Sequence, residues 1–292
     1  MDSYKIILEP TKPIPVTDLK IGIIQGKDLY FPLTRMDLLH RMSDYFNKHI
    51  VNMAQKGKTD LAWYGMHGPR SMFDNEILHI ASINTLYRYN DAMLNENNLN
   101  LKLGVTDFRE WIGTSVQAAA DKDFCEDMHR AGIADDDNAF LYFSLPLSNC
   151  AAIVTSDSKV AVGLRSEKVA YLPNTYHVVG GMCRTKNKID FSEMREELVS
   201  EMGIFESNIS KADFVGMVAD KKTGDPELMY IVFLGMDEAG LRDSWQRKAP
   251  DKYEHKKLEF VDREKLRGFI DDNYGRIVPS GEATLEAYLK YY

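Results

Sequence analysis

The chain has 292 residues, 44% hydrophobic and 27% charged, the balance of a soluble globular protein with one large or two modest domains. Its net charge of −8 and pI near 5.5 speak against a broad surface for nucleic acid or anionic membrane. They leave room for a small anionic substrate neutralised locally. Cys125, Cys150 and Cys183 lie far apart without C-x-x-C spacing, so neither a zinc site nor a disulfide framework is indicated. No apolar run approaches the ~18 residues that span a bilayer, and the MDSYKIILEP start lacks the basic and apolar segments of a signal peptide. The expectation is a reduced, cytoplasmic protein.

In chain order, Tyr4–Leu8 and Leu19–Ile24 are short β-rich runs parted by the proline-punctuated EPTKPIP segment. Between Met36 and Ala54 the apolar residues recur at helical intervals. A loop at Gly65–Arg70 precedes expected strands at Ile77–Leu86 and Leu99–Leu103, divided by the turn-like ENNLN. A cap at Thr106 or Asp107 opens a short aromatic helix, and Ala118–Ala131 reads as a second helix. The acidic run Ala134–Asn138 is the best connector, giving an amino-terminal α/β domain over 1–138 and a second domain over 139–292.

Beyond the connector, Ala139–Leu147 and Cys150–Thr155 are strand-like, and Ser156-Asp157-Ser158 turns into Val160–Leu164 as a hairpin. Ala212–Val218, Leu228–Leu234 and Lys257–Val261 read as further strands, with the turn dipeptide Gly224-Asp225 in a polar linker. Arg263–Asp271 and Glu282–Tyr291 read as helices.

The informative stretch runs from Tyr176 to Ile204. A β-branched run stops at Gly180-Gly181, a polar loop follows, and a helix then carries Glu193, Glu196, Glu197 and Glu201. Asp190 and Glu193 have the spacing of a capping box, and Gly203 stands where a left-handed residue would end the helix. Glu193, Glu197 and Glu201 share one stripe beside an apolar stripe of Met194, Leu198 and Met202. Such an acidic row is either a solvated face or the cradle of a hard divalent cation, for which Mg²⁺ is the natural choice and Mn²⁺ the alternative.

That order resembles the Nudix box, G-x5-E-x7-R-E-U-x-E-E-x-G-U, where U is aliphatic. Glu201 falls on the second glutamate of the E-E pair, Glu197 on the glutamate of R-E, and Leu198 on the aliphatic position. Glu196 stands at the arginine, Ser200 at the first glutamate of the pair, and Lys188 at the loop glutamate, with the loop one residue longer than the pattern. The likeness extends outside the box. LKLGVTDFREWIGT (101–114), Met72-Phe73-Asp74, the run from Val162 through Arg165-Ser166 to Ala170, Pro173 and Pro279-Ser280-Gly281 are similar to the UDP-glucose pyrophosphatase branch of the family.

The resemblance implies a Nudix-type α/β/α sandwich with a mixed sheet, preceded by the smaller α/β domain. It implies a Mg²⁺-dependent hydrolase that splits the diphosphate of a nucleoside diphosphate sugar into a nucleoside monophosphate and a sugar 1-phosphate. Two alternatives remain open: a nucleotide-binding or regulatory relative with little or no catalysis, and a hydrolase of another derivative such as ADP-ribose. The implied metal ligands are Glu197, Glu201 and the Gly181 carbonyl; the implied catalytic residues are Glu197, Glu201 and Glu254. Arg165 is either a phosphate clamp or half of a structural ion pair, and Gly180 and Gly181 permit close approach of the substrate.

Glu193 is either the helix cap, the favoured reading, or a support for a metal ligand, and Glu227 competes with Glu254 as base. His177 and His255 are better read as packed or solvent-exposed than as catalytic, and Tyr87, Tyr89, Phe108 and Trp111 are either a base- or sugar-binding wall or, the favoured reading, core packing. The partner expected is a small nucleotide sugar bound between the two domains, with its diphosphate at the glutamate helix.

Overall fold

Two short strands, β1 (Tyr4–Leu8) and β2 (Ile14–Pro15), precede β3 (Lys20–Tyr30), β4 (Thr85–Asn95) and β5 (Asn98–Asp107). The computed structural model describes residues 3–30, 85–184 and 189–292, with a few positions between 40 and 48. The loop at 65–70, Met72-Phe73-Asp74, most of the strand expected over Ile77–Leu86, and Lys188 lie outside the described residues. Of the helix expected between Met36 and Ala54, the positions described (40–42, 44–46 and 48) are helical, and Met42 and Phe46 are buried.

β3, β5 and β4 make a three-stranded sheet, β3 parallel and β4 antiparallel to β5. The β4–β5 hairpin turns at Glu96, which takes a left-handed φ of 53°. Leu99, Leu101 and Leu103 alternate onto the buried face of β5.

Helix α1 (Phe108–Trp111) is opened by Asp107, whose carboxylate accepts from the Arg109 and Glu110 amides while Glu110 reaches back to close a capping box. A π-helical turn (Ile112–Val116) leads into α2 (Gln117–Ala120) and α3 (Lys122–Asp136). The acidic run expected as a connector is therefore mostly the last turn of α3, with Asp137 as its left-handed cap at φ 49°. Residues 139–147, expected as a strand, form turns with a single bridge from Pro146 to Arg88. Their apolar spacing serves a local cluster: Tyr142, Phe143 and Leu145 bury against α3, and Leu145 sits at φ 48°, which no strand allows.

The large sheet follows, built from β6 (Ser148–Val154), β7 (Lys159–Arg165), β8 (Tyr176–His177), β9 (Val179–Met182), β10 (Ile209–Asp220), β11 (Pro226–Leu234) and β12 (His255–Asp262). Its central path runs β1-β10-β11-β6-β7-β12, with β2 beside β10, β8 beside β7 and β9 beside β6. β11 and β6 are parallel and the other pairs antiparallel, so the sheet is mixed. β1 and β2, on the amino-terminal side of residue 138, are part of this sheet through β10.

Alternation along β6 divides the protein into two cores. Ala151 and Ile153 face α4 (Phe191–Met202), which contributes Met194, Leu198 and Met202, and α5 (Glu238–Lys248), which contributes Leu241. Cys150, Ala152 and Val154 face α6 (Arg263–Asp272) and α7 (Pro279–Tyr291) through Leu266, Ile270, Leu285 and Tyr288. This is the α/β/α sandwich of the Nudix type. α5 carries only a sparse apolar set and gave no periodic signal. The buried face of β5 joins the first core, so the small sheet leans on the same interior as α4.

All three cysteines are free and buried. Among the described residues no helix is long and apolar enough to cross a membrane.

α4 ends at Gly203, φ 68°, whose amide donates to the Val199 carbonyl while the Ile204 amide donates to that of Leu198. A Cβ at Gly203 would stand 2.7 Å from the Ser244 carbonyl oxygen. Gly203→Ala is expected to cost at least about 1–2 kcal/mol, from the left-handed backbone alone. Urea unfolding of the two proteins checks this, and an unchanged midpoint would count against the cap.

Candidate active site

The glutamate helix reaches the sheet at its glycine pair. A Cβ on Gly181 would fall 2.3 Å from Glu197 Oε1, so the carboxylate lies directly against the Gly181 backbone and only a glycine admits it there. Gly180 fits as closely, since its Cβ would meet the Asn149 carbonyl of β6 at 2.7 Å. Asp190 caps α4 by accepting from the Ser192 amide at 2.8 Å. Glu193 is buried at 4% exposure, within the electrostatic reach of Glu197, Cys183 and Tyr87. Glu196 is exposed, so its side chain faces solvent. Arg195, one place out of register with the box, pairs with Glu206 at 3.1 Å on the surface.

Glu201, one turn on from Glu197, is also buried, and its Oε2 lies 2.7 Å from His255 Nε2. His255 begins β12 opposite Arg165, and its ring closes over Gly163 of β7, where a Cβ would meet Nδ1 at 2.1 Å. Burial, with Arg165 close by, pushes His255 down to about 4, so its imidazole is neutral near pH 7. Burial raises Glu201 to about 8 against the pull of Arg165. The histidine that composition assigned to packing is thus the direct partner of the box glutamate.

Glu254 immediately precedes His255, and its carbonyl accepts from the Ser166 amide at 2.7 Å. Its carboxyl is raised to about 7 by burial and then by Glu201, with Arg165 opposing. Glu197 is raised further by burial, by Glu201 and by Glu254, and Arg184 opposes. The fold therefore brings Glu197, Glu201 and Glu254 into one electrostatic neighbourhood with Arg165.

Glu201 is buried and Glu197 and Glu254 half-buried; Glu201 raises both of the others, and Glu254 raises Glu197. Such a crowded set of carboxyls is what an oxygen-seeking divalent cation relieves, and the Gly181 backbone can add a carbonyl. The donor set fits such an ion by type. Among the described residues no group of three or more His, Cys, Asp or Glu side chains already converges on one cation position.

A cleft opens at the glycine pair. Arg165, Gly180 and Gly181 line it, while Glu197, Glu201 and Glu254 stand outside its lining. Arg165 holds its place by donating from Nε to the Tyr171 carbonyl at 3.2 Å. The cleft has other walls too. Trp111 is buried in the core, as expected, and also contributes to one wall beside Tyr171, the rings 5.8 Å apart and tilted by 52°. Tyr87 joins the first core, with Tyr89 packed against it, and Phe108 packs against the cluster of Trp111 and Ile112.

Asp220, Asp225 and Glu227 line the floor. Asp225 accepts from Trp111 Nε1 at 3.2 Å and from Ser115 Oγ at 2.7 Å, which fastens the helical segment after β5 to the β10–β11 turn. Burial raises Asp225 to about 8 and Glu227 to about 7, and it raises Asp220 as well. Near this floor the sequence offered the turn dipeptide Gly224-Asp225 and Glu227 as a candidate base. Arg184, which sets the field at Glu197 from the far end of the box strand, carried none.

No protein-family model matches the chain. It is 22% identical over 216 residues to the mouse (Mus musculus) uridine diphosphate glucose pyrophosphatase NUDT22, a match covering 67% of this chain and 68% of that protein. It is 25% identical over 190 residues to Nudix hydrolase 9 of Arabidopsis thaliana, covering 57% of this chain and 59% of that one. Among solved structures, a MutT protein from Methanosarcina mazei Go1 aligns at a TM-score of 0.36 and 18% identity, over 49% of this chain and 92% of its own. The NUDIX domain of Shewanella oneidensis NrtR, complexed with ADP ribose, aligns at 0.35 and 10% identity, over 56% and 98%. Both named relatives are Nudix proteins, and the sandwich and the glutamate helix seated behind its glycine pair agree with that likeness, so the chain is similar to the Nudix hydrolases, a uridine diphosphate glucose pyrophosphatase among them.

Proposed function

We propose that this protein hydrolyses the diphosphate of a nucleoside diphosphate sugar such as UDP-glucose, releasing a nucleoside monophosphate and a sugar 1-phosphate. The observation that carries the reading is the juxtaposition at Gly181. That residue lines a cleft with an arginine and also lies against the Glu197 carboxylate of the glutamate helix. The relative named as a uridine diphosphate glucose pyrophosphatase supports the choice of substrate class.

The Arg165 guanidinium offers a planar fork of donors to the diphosphate oxygens. Gly180 and Gly181 let the chain approach those oxygens closely. Glu197, Glu201 and the Gly181 carbonyl are the residues that would hold Mg²⁺, or Mn²⁺ in its place. When bound, such an ion neutralises phosphate charge and lowers the pKa of a coordinated water. His255 fixes the orientation of Glu201 through its Nε2. Glu254 takes a proton from the attacking water as the new P–O bond forms and the bridging P–O bond breaks, and the departing phosphate carries the electron pair away.

A second reading, a protein that binds nucleotide sugars without turning them over, is favoured by one feature. Ser200 stands where the box has a glutamate, its Oγ 3.4 Å from Glu197 Oε2, leaving one carboxylate fewer for a cation.

Incubation with UDP-glucose and Mg²⁺, followed by phosphorus NMR of the products, separates the two. UMP and glucose 1-phosphate are expected, with Glu201→Gln and Glu197→Gln slower by roughly 10²-fold or more. Binding without products across a panel of nucleotide sugars would favour the second reading. Gly181→Ala drives a methyl into the Glu197 carboxylate, and a displacement of that size is expected to cost about 10²-fold in kcat/KM. Its thermal midpoint in metal-free buffer, compared with the parent protein, reports whether the fold is kept. Divalent cation at about 100 times its Kd should stabilise the parent by about 2.7 kcal/mol. Denaturant titration with and without Mn²⁺ reads that shift, and Glu197→Gln should abolish most of it.

A further inference from the structure

The cleft changes sign along its length. At one end stand Arg165 and the glycine pair, and at the other Asp220, Asp225 and Glu227. The sheet register gives the spacing. Glu227 of β11 pairs with Ser148 of β6, and Ser148 pairs with Met182 of β9, next to Gly181. Glu227 is thus two strand spacings, roughly 10 Å, from the strand that carries Gly181. That is a span one ligand can bridge, with its diphosphate at the arginine and its next group over the carboxyls.

What the second end can receive follows from its chemistry. A further phosphate or carboxylate would be placed, partly desolvated, beside three acids. A neutral group with several hydroxyls would be welcome, because each carboxyl has acceptor capacity left after its protein bonds. Asp225 accepts from the Trp111 and Ser115 side chains and is also bonded by Thr223. Asp220 accepts from Tyr171 Oη at 2.9 Å, the Lys222 amide at 2.6 Å and the Thr223 amide at 3.3 Å, and Glu227 is bonded by Ser280 and Cys150. Trp111 and Tyr171 add ring surface for the C–H face of a pyranose. Being tilted and in mutual contact, they leave no slot for a flat base between them.

We propose that the carboxyl-lined end of the cleft receives the neutral glycosyl group of the nucleotide sugar and thereby excludes sugars bearing a negative charge. This rests on the nucleotide-sugar reading above and adds the direction in which the ligand lies. Asp220, Asp225 and Glu227 are its specificity residues, and Trp111 and Tyr171 its apolar platform.

The test is a calorimetric titration in magnesium buffer of UDP-glucose, UDP-glucuronate and UDP, with products analysed in the same samples. UDP-glucuronate is expected to bind at least about ten-fold more weakly than UDP-glucose. Glu227→Gln, which removes an ionisable carboxyl without touching the Trp111 and Ser115 bonds, should narrow that ratio, and Asp225→Asn should do the same where it folds. Equal affinity for the two sugars, a preference for the uronate, no binding to either, or a ratio unmoved by Glu227→Gln would overturn the proposal. A sugar preference without products would instead overturn hydrolysis and leave the glycosyl end standing.

Discussion

The absence of a side chain at Gly181 is the condition on which the site depends. The Glu197 carboxylate occupies the space a Cβ would take, and this brings α4 onto the end of β9 at its acidic face. Once α4 is there, Glu201 is carried one turn further along the same helix to the buried ring of His255. His255 in turn uses the space left by Gly163, so two glycines on different strands admit the two side chains that frame the helix. Desolvation then acts on all of these groups at once. The carboxyls move toward their neutral forms, and Arg165 is the cation that opposes this at both Glu201 and Glu254. A cleft whose charge rests on so few groups responds strongly to any ion or ligand that supplies more.

Much of this was legible from spacing. The end of α4 at Gly203, the cap of α1 at Asp107, the β6–β7 hairpin and the two late helices all carry local signals, because each is decided by residues adjacent in sequence. The failures are also physical. Residues 139–147 have the composition of a strand, but their apolar side chains serve a local cluster around α3, and a left-handed Leu145 interrupts the extended backbone. The acidic run at 134–138 looked like a linker because charge repels solvent-free packing, yet three of its residues ride on the exposed end of α3. α5 escaped notice because it buries little beyond Leu241 and Ser244.

The site divides in the same way. The glutamate row was visible because a helix repeats every turn, and Arg165 because it ends a strand aimed at the glycine pair. Among the acids of the cleft, Asp225 sits in a turn whose sequence reads as polar linker, and it is covered by Trp111 and Ser115 arriving from more than a hundred residues away. No local pattern encodes such a meeting. His255 is the same case: one histidine in a charged stretch means little until the β7–β12 register lays it over Gly163.

The pairing of β1 with β10 matches Tyr4 to Asp220, and β10 itself lies between β1 and β11 in the large sheet. During synthesis the earliest strand must therefore wait, unpaired, until more than two hundred later residues have left the ribosome. Its apolar face is open to wrong partners for all of that time. A fragment cut to begin at residue 139 would carry the opposite defect, a long exposed edge on β10 ready to recruit strands from neighbouring molecules.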